Sequence, residues 1–276
     1  MPLFKRKKED ARTPRTLFAE GPLNQVRNVV AIASAKGGVG KSTLSVNLAA
    51  RLSAQGASVG LLDADIYGPS VPLMTGVSNE PVLSENDRLL PVEAHGLNLM
   101  SIGFIAGREA PVIWRGPLLA RALQQFLNQV EWGPLDYLLV DLPPGTGDVP
   151  LTLSQTIALS GAVIVTTPQS VALEDVERGM AMFDKVEVDV LGVVENMSYY
   201  LCPNCDKRHE IFGRGGGQAA ADRQQVPFLG EVPLIEAIRS AGDQGQPVAL
   251  HSHYESLFTP LCTGLVEGLR ALAPRD

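Results

Sequence analysis

The run Ala35-Lys36-Gly37-Gly38-Val39-Gly40-Lys41-Ser42-Thr43 has the residue types and spacing needed to hold the phosphates of a nucleotide. Glycines at 37, 38 and 40 let the backbone curl without Cβ clashes, so that successive N–H groups converge on an anion. A helix opening near Lys41 adds the positive end of its dipole. Lys41 then supplies the cation for the β- and γ-phosphates, and the Ser42 hydroxyl is a ligand for Mg²⁺. Gly37 to Thr43 are therefore the expected ATP-binding residues. The run departs from the pattern G-x-x-x-x-G-K-[ST] at its first position, where Ala35 stands, and it carries an additional lysine, Lys36.

Acidic residues follow at two places that suit the same chemistry. The stretch LLDADIYGPS ends an apolar run in Asp63 and places Asp65 two residues later; DYLLVDLPPGTGD ends another in Asp141. Carboxylates at strand ends beside a phosphate loop can hold hydrated Mg²⁺ and orient an attacking water. Asp63 is expected to act behind them. Gly145-Thr146-Gly147-Asp148 after Asp141 has the composition of a switch loop.

A second chemistry is offered by Cys202-Pro203-Asn204-Cys205. Two residues between thiols is a common bite for a tetrahedral metal or an iron–sulfur cluster. Two thiolates make only half of such a site. A homodimer would bring four to one symmetry axis, enough for a [4Fe–4S] cluster or for Zn²⁺. Thiolate spacing suits both metals, and His209 is the residue that would complete a zinc knuckle within one chain. With three cysteines, Cys262 being the third, the chain has no disulfide framework, which points to a cytoplasmic compartment.

The KGGxGK[ST] form of the phosphate loop resembles the deviant Walker A loop of the ParA/MinD/nitrogenase-iron-protein class of ATPases. That resemblance implies that Lys36 reaches across a dimer interface onto the partner's nucleotide. It also assigns Asp65 to the water and Asp141 to the Mg²⁺ side. KGGVGKST, DADIYGPS, DLPPGTGD, ENMS, CPNC and HEIFGRGGG occur in the order seen in the Mrp/ApbC family, over about residues 25–270. Members of that family resemble the nitrogenase iron protein and act as iron–sulfur cluster carriers or scaffolds. The likeness implies slow, Mg²⁺-dependent ATP hydrolysis and a cluster held between two subunits by Cys202 and Cys205. It implies transfer of that cluster to apo iron–sulfur proteins, with other proteins as cluster donors. It further implies that Asn196 hydrogen-bonds the adenine, a role that a side-chain amide can fill. Family members often carry a small domain before the ATPase; here a short basic stretch stands in that place.

The elements that must position these residues alternate regularly. Apolar runs at 29–33, 58–63, 97–102, 137–141, 162–166 and 191–196 read as strands covered on both faces. Helical patterns follow near 42–54, 117–130, 149–159, 172–184 and 216–225, the first closed by Gly56. This predicts an α/β fold, a doubly wound and mostly parallel sheet in one ATPase domain over 26–276. Residues 1–25, with basic residues clustered between Lys5 and Lys8, are expected to be a mobile basic tail. The Gly213–Gly217 run lacks the Lys-Ser/Thr pair of a second phosphate loop and is expected to turn the chain into a helix.

At 276 residues, 45% hydrophobic and 19% charged, the chain has the composition of a globular protein with a substantial core. Its net charge of -7 weighs against a nucleic-acid binder, because such binding rests on phosphate neutralisation. No apolar run of about 18 residues predicts a membrane span. The alternatives are a zinc-stabilised regulatory ATPase and a ParA/MinD-type positioning ATPase binding DNA or membrane, which would need a basic stripe or a lipid-binding C-terminal helix. Residues 257, 258, 261, 265 and 269 do line one helical face. The polar face there has few lysines, so packing against the domain is expected, with Cys262 as a core thiol.

Overall fold

In the computed structural model, residues 23–104, 129–169, 171–202, 204–205 and 207–272 are described. The expected helix at 117–130 (but for its last two residues) and nearly all of the expected N-terminal tail lie outside them. The strands are β1 (Val29–Ala33), β2 (Val59–Asp63), β3 (Val92–Ala94), β4 (Leu97–Ser101), β5 (Tyr137–Asp141), β6 (Gly161–Thr166), β7 (Val190–Leu201), β8 (Arg208–His209) and β9 (Phe228–Leu234). The helices are α1 (Lys41–Ala54), α2 (Val71–Met74), α3 (Asp148–Thr156), α4 (Ala172–Asp184), α5 (Gly216–Gln224), α6 (Glu236–Asp243) and α7 (Glu255–Ala271).

The strands join in the order β3-β4-β2-β5-β1-β6-β7-β8, with β9 also on β7. Among these strands pairing is parallel from β4 through β7 and on to β9, and antiparallel where β3 meets β4 and β8 meets β7. Every residue of β1, β2, β5 and β6 is buried, as befits strands covered on both sides. Alternation divides them between two cores. Val30, Ile32 and Leu61 pack with Leu44 and Leu48 of α1 and with Phe258, Leu261 and Leu265 of α7. Ala31, Leu62 and Val140 face Leu153 of α3, Val176 of α4 and Ala220 of α5. The result is the doubly wound, mostly parallel sheet that the sequence predicts.

Parallel pairing lines up the strand ends. Asp63 and Asp141 are register partners, Asp141 also pairs with Ile32, and Thr166 pairs with Glu195. The carboxyl edge of the sheet therefore carries the acids and the phosphate loop side by side, where ligands bind in open α/β sheets.

Differences from the sequence reading have physical causes. Strand β7 does not stop at Asn196 but runs on to Leu201, because a break in register at Met197, whose φ is 55°, lets it continue into a hairpin with β8. Strands β3 and β8 were not predicted because they are three and two residues long, and β9 because Gly230, Glu231 and Pro233 interrupt its apolar run. Helix α6 has no fully buried residue, and its apolar face, half-buried Ile238 and Ala241, is too short to stand out in the sequence. Helix α7 forms in spite of Pro260 and two glycines because it buries Phe258, Leu261, Cys262, Leu265 and Val266 against the sheet. Packing on this scale, at roughly 1.5–3 kcal/mol for each large apolar side chain, outweighs the helix penalty of about 3 kcal/mol for one internal proline. Among the described residues no helix is long and apolar enough to cross a membrane.

Candidate functional site

The phosphate loop leaves β1 at Ser34 and enters α1 at Lys41. Gly38 and Gly40 have φ of 80° and 81°, the left-handed region that favours glycine. A Cβ on Gly40 would also run into the Asn196 side-chain amide. Asn196 is buried within β7, and its Nδ2 donates to the carbonyl of Val39 at 2.9 Å. In this structure that amide therefore holds the phosphate loop.

Under the loop lies a dense polar cluster. Asp141, fully buried, accepts from Ser42 Oγ at 2.5 Å and from Ser45 Oγ at 2.6 Å. Lys41 Nζ stands 2.8 Å from Asp141 Oδ1, 3.7 Å from Asp65 Oδ2 and 3.2 Å from Ser42 Oγ. One buried ammonium thus serves two carboxylates. Asp65 Oδ1 is buried with no hydrogen-bond partner among the described residues. Burial pushes the Asp65 carboxyl up, Lys41 draws it back, and Asp141 raises it again.

Asp63, also fully buried, is bound on all sides by donors. It accepts from the Asp65 and Val71 amides, both at 3.1 Å, and from Ser101 Oγ at 3.0 Å. It therefore shapes the 64–71 loop that carries Asp65. Burial, reinforced by the Asp141 charge, lifts its pKa to about 7. The sign follows directly. Between the unfolded value near 4 and about 7, the folded state holds a proton that the unfolded chain has lost, so stability falls as pH rises through this window. Urea unfolding of the nucleotide-free protein should show this as an advantage of Asp63→Asn over wild type that grows from pH 4.5 to 7 and then levels. The slope is at most ~1.4 kcal/mol per pH unit. A difference independent of pH would refute the assignment.

Lys36, about one-third exposed, forms an ion pair with Asp175 Oδ2 of α4 at 2.8 Å and meets Gln169 Oε1 at 3.4 Å. Within this chain it is turned to the β6–α4 side of the loop. Gly145 donates its N–H to Ser34 O at 2.8 Å, so the 145–148 segment touches the start of the phosphate loop.

The thiols stand at the tip of the β7–β8 hairpin. The Cys202 amide donates to Lys207 O at 3.0 Å, and the Cys205 amide to Cys202 O at 3.4 Å, closing a tight turn. Cys202 is half-buried and Cys205 exposed, and neither is in a disulfide. Arg208 secures the hairpin: Nη1 and Nη2 meet both Glu231 oxygens at 2.9 and 3.2 Å, and the guanidinium lies 3.9 Å over the Tyr199 ring. Leu201 precedes the tip as an exposed apolar residue, and Ile211, after β8, is exposed as well. Among the described residues no set of three or more His, Cys, Asp or Glu side chains comes together as a metal site in one chain, so His209 does not join the thiols. Cys262 is buried 3.7 Å from Leu48 O, and burial pushes its thiol up to about 12, as expected of a core thiol.

The structure also exposes participants that the sequence reading missed. Ser45 and Ser101 hold the carboxylates, and Asp175 and Gln169 hold Lys36. Glu195 is buried at the sheet edge, where its Oε2 accepts from the Gly217 amide at 2.6 Å. It fills the α5 N-terminus with a carboxylate from within the chain, which explains why the glycine run there is not a second phosphate loop.

A parallel sheet with a Gly-Lys-Ser loop at its carboxyl edge, backed by a buried acid, defines a P-loop nucleoside triphosphatase. The chain belongs to the ParA family of NUBPL iron-transfer P-loop NTPases, whose model matches residues 25–266. An iron-sulfur cluster carrier protein of Synechocystis is 51% identical over 267 residues, covering 94% of this chain and 75% of the relative. The nucleotide-binding protein of Archaeoglobus fulgidus in complex with ADP superposes with a TM-score of 0.77 at 39% identity, over 86% of this chain and 94% of that one. The MinD cell division ATPase of Pyrococcus furiosus shares the fold, with a TM-score of 0.63 at 21% identity over 89% of this chain and 99% of that one.

Proposed function

We propose that this protein is an ATP-hydrolysing carrier or scaffold that holds a [4Fe–4S] cluster between two subunits and passes it to apo iron–sulfur proteins. The observation that carries this reading is that one strand serves both chemistries. Asn196 of β7 holds the phosphate loop, and β7 then runs into the hairpin that presents Cys202 and Cys205. The carrier name of the 51% identical relative supports it.

Each residue has a part. The amides of Gly37 to Thr43 and the Lys41 ammonium bind the phosphates. Mg²⁺ fits the hard oxygen donors brought together here, Ser42 Oγ and Asp141 Oδ2, with the unpartnered Asp65 Oδ1 nearby. When bound, it neutralises charge on the β- and γ-phosphates. Asp65 orients the attacking water through that oxygen. Asn196 reaches the adenine from the amide that here holds Val39. Lys36 leaves Asp175 and Gln169 to contact the partner's nucleotide when a homodimer closes. Hydrolysis is slow in the isolated dimer, since such switches commonly await a partner. Residues 26–276 are the ATPase domain, residues 1–25 a basic tail, and the protein works in the cytoplasm.

Cys202 is half-buried and Cys205 exposed, and the exposed apolar Leu201 next to Cys202 suits contact with a second copy. Four thiolates then surround the cargo. The test is transfer. Anaerobically reconstituted protein mixed with an apo-ferredoxin should generate the ferredoxin's spectrum without free iron or sulfide in solution. Transfer that survives Cys205→Ala, or that a chelator intercepts completely, would defeat the proposal.

A further inference from the structure

Two adjacent side chains of β7 bind two different parts of the molecule. Successive strand residues face opposite sides. Asn196 turns to Val39 of the phosphate loop, whereas Glu195 turns to the Gly217 amide in the first turn of α5. Helix α5 has no side-chain cap of its own: Gly215 at its N-cap has φ 67°, and the Glu195 carboxylate takes up the amide instead. Gly217 favours this approach, because a Cβ there would lie 3.0 Å from Glu195 Cβ and 3.1 Å from its Oε2, a tight fit.

The segment between the end of β7 and the start of α5 carries both cysteines. On its entry side, β7 passes the left-handed Met197, where Ser198 Oγ donates back to Glu195 O at 2.8 Å, before it reaches the thiols. The other end returns at Gly217 onto the Glu195 carboxylate. The helix that follows the thiol segment is thus tied to the Glu195 carboxylate and the strand that leads into it to the Glu195 carbonyl, and Glu195 is bonded in sequence to the residue that holds the phosphate loop. A second contact runs alongside. A Cβ on Gly216 would meet the carbonyls of Pro168 and Gln169, and Gln169 is the residue that Lys36 touches.

We infer that Glu195 is a positioning residue that couples nucleotide occupancy to the disposition of the Cys202–Cys205 loop. Its carboxylate conveys movement of the phosphate loop and of β7 to the α5 N-terminus. The inference rests on the proposed carrier function for its purpose, but its geometry is independent of which metal the thiols hold. Coupling of this kind is reciprocal: a ligand on the thiols must alter nucleotide affinity by the same factor by which nucleotide alters theirs.

The experiment compares alkylation of Cys202 and Cys205 by iodoacetamide, read by mass spectrometry, with and without ATP and Mg²⁺. Buried Cys262, its thiol pushed up to about 12, is the unreactive internal reference. In wild type, nucleotide should change the labelling rate by roughly fivefold or more. Glu195→Ala should lose that dependence while still binding ATP, which also reports that it has folded. Glu195→Gln, whose Oε1 can still accept from Gly217, should keep it. ATP-dependent labelling that persists at the wild-type level in Glu195→Ala, or that is absent from wild type, would overturn the inference. Iron content separates the two readings: wild type that carries no cluster but shows Glu195-dependent labelling would defeat the carrier function and leave the coupling intact.

Discussion

Replacing Lys41 with Ala is expected to abolish ATP hydrolysis and, at the same time, to weaken the nucleotide-free fold. The first effect follows from losing the cation aimed at the phosphates; removal of one such preorganised group lowers kcat by roughly 10²–10³-fold. The second arises because Lys41 is the shared partner of buried Asp141 and Asp65. Asp63, a register partner of Asp141, lies in the same cluster. Removing the ammonium leaves carboxylates in the interior without their counter-charge, and breaking a buried pair in this way costs about 3–5 kcal/mol. The double variant Lys41→Ala/Asp141→Asn separates the two effects. It removes one of the stranded charges, so urea unfolding should recover much of the lost stability while hydrolysis stays absent. Equal instability of the single and double variants would show that Lys41 is not the keystone of this cluster.

Cys202→Ala is expected to have the opposite profile: near-normal stability and ATP binding, but no retained iron. Cys202 is half-buried at a hairpin tip that the Arg208–Glu231 pair and the Tyr199 ring secure. Substitutions away from buried networks shift stability by about 0.5 kcal/mol or less. A cluster bridged by two subunits would lose two of four ligands through this one change, because symmetry repeats it. Cys262→Ala is the internal control. It should keep its iron and lose roughly 1 kcal/mol of stability from the vacated core volume. Iron that survives Cys202→Ala, or that leaves with Cys262→Ala alone, would displace the assignment.

Much of this site is legible in the chain because its parts are local. The phosphate loop is a continuous run whose glycines, lysine and serine must be neighbours to curl around an anion. Asp141 and Asp63 stand out as acids that end apolar runs, and Cys202 and Cys205 declare themselves by their spacing. What is not legible is what long-range pairing creates. Ser45 meets Asp141 only because α1 lies over β5, and Lys36 meets Asp175 only because α4 begins beside the phosphate loop. Glu195 reads as one acid among apolar residues until strand register and the return of α5 bring Gly217 to it. The same limit hid β9, whose Gly230 and Pro233 break the period that a strand shows in sequence but not its pairing with β7. Asn196 is instructive from the other side. Its expected role is a nucleotide contact at a strand end; in the structure it lies inside β7 with its amide on the phosphate loop.

The central claim is that the thiols of two chains hold an iron–sulfur cluster. The most direct measurement is elemental and sulfide analysis of protein purified without oxygen, with its mass in solution determined on the same sample. The account predicts a dimer with about 4 Fe and about 4 sulfide per two chains, which Cys202→Ala lacks. A sample with iron at background and about one zinc per two chains, lost in the same variant, would contradict it.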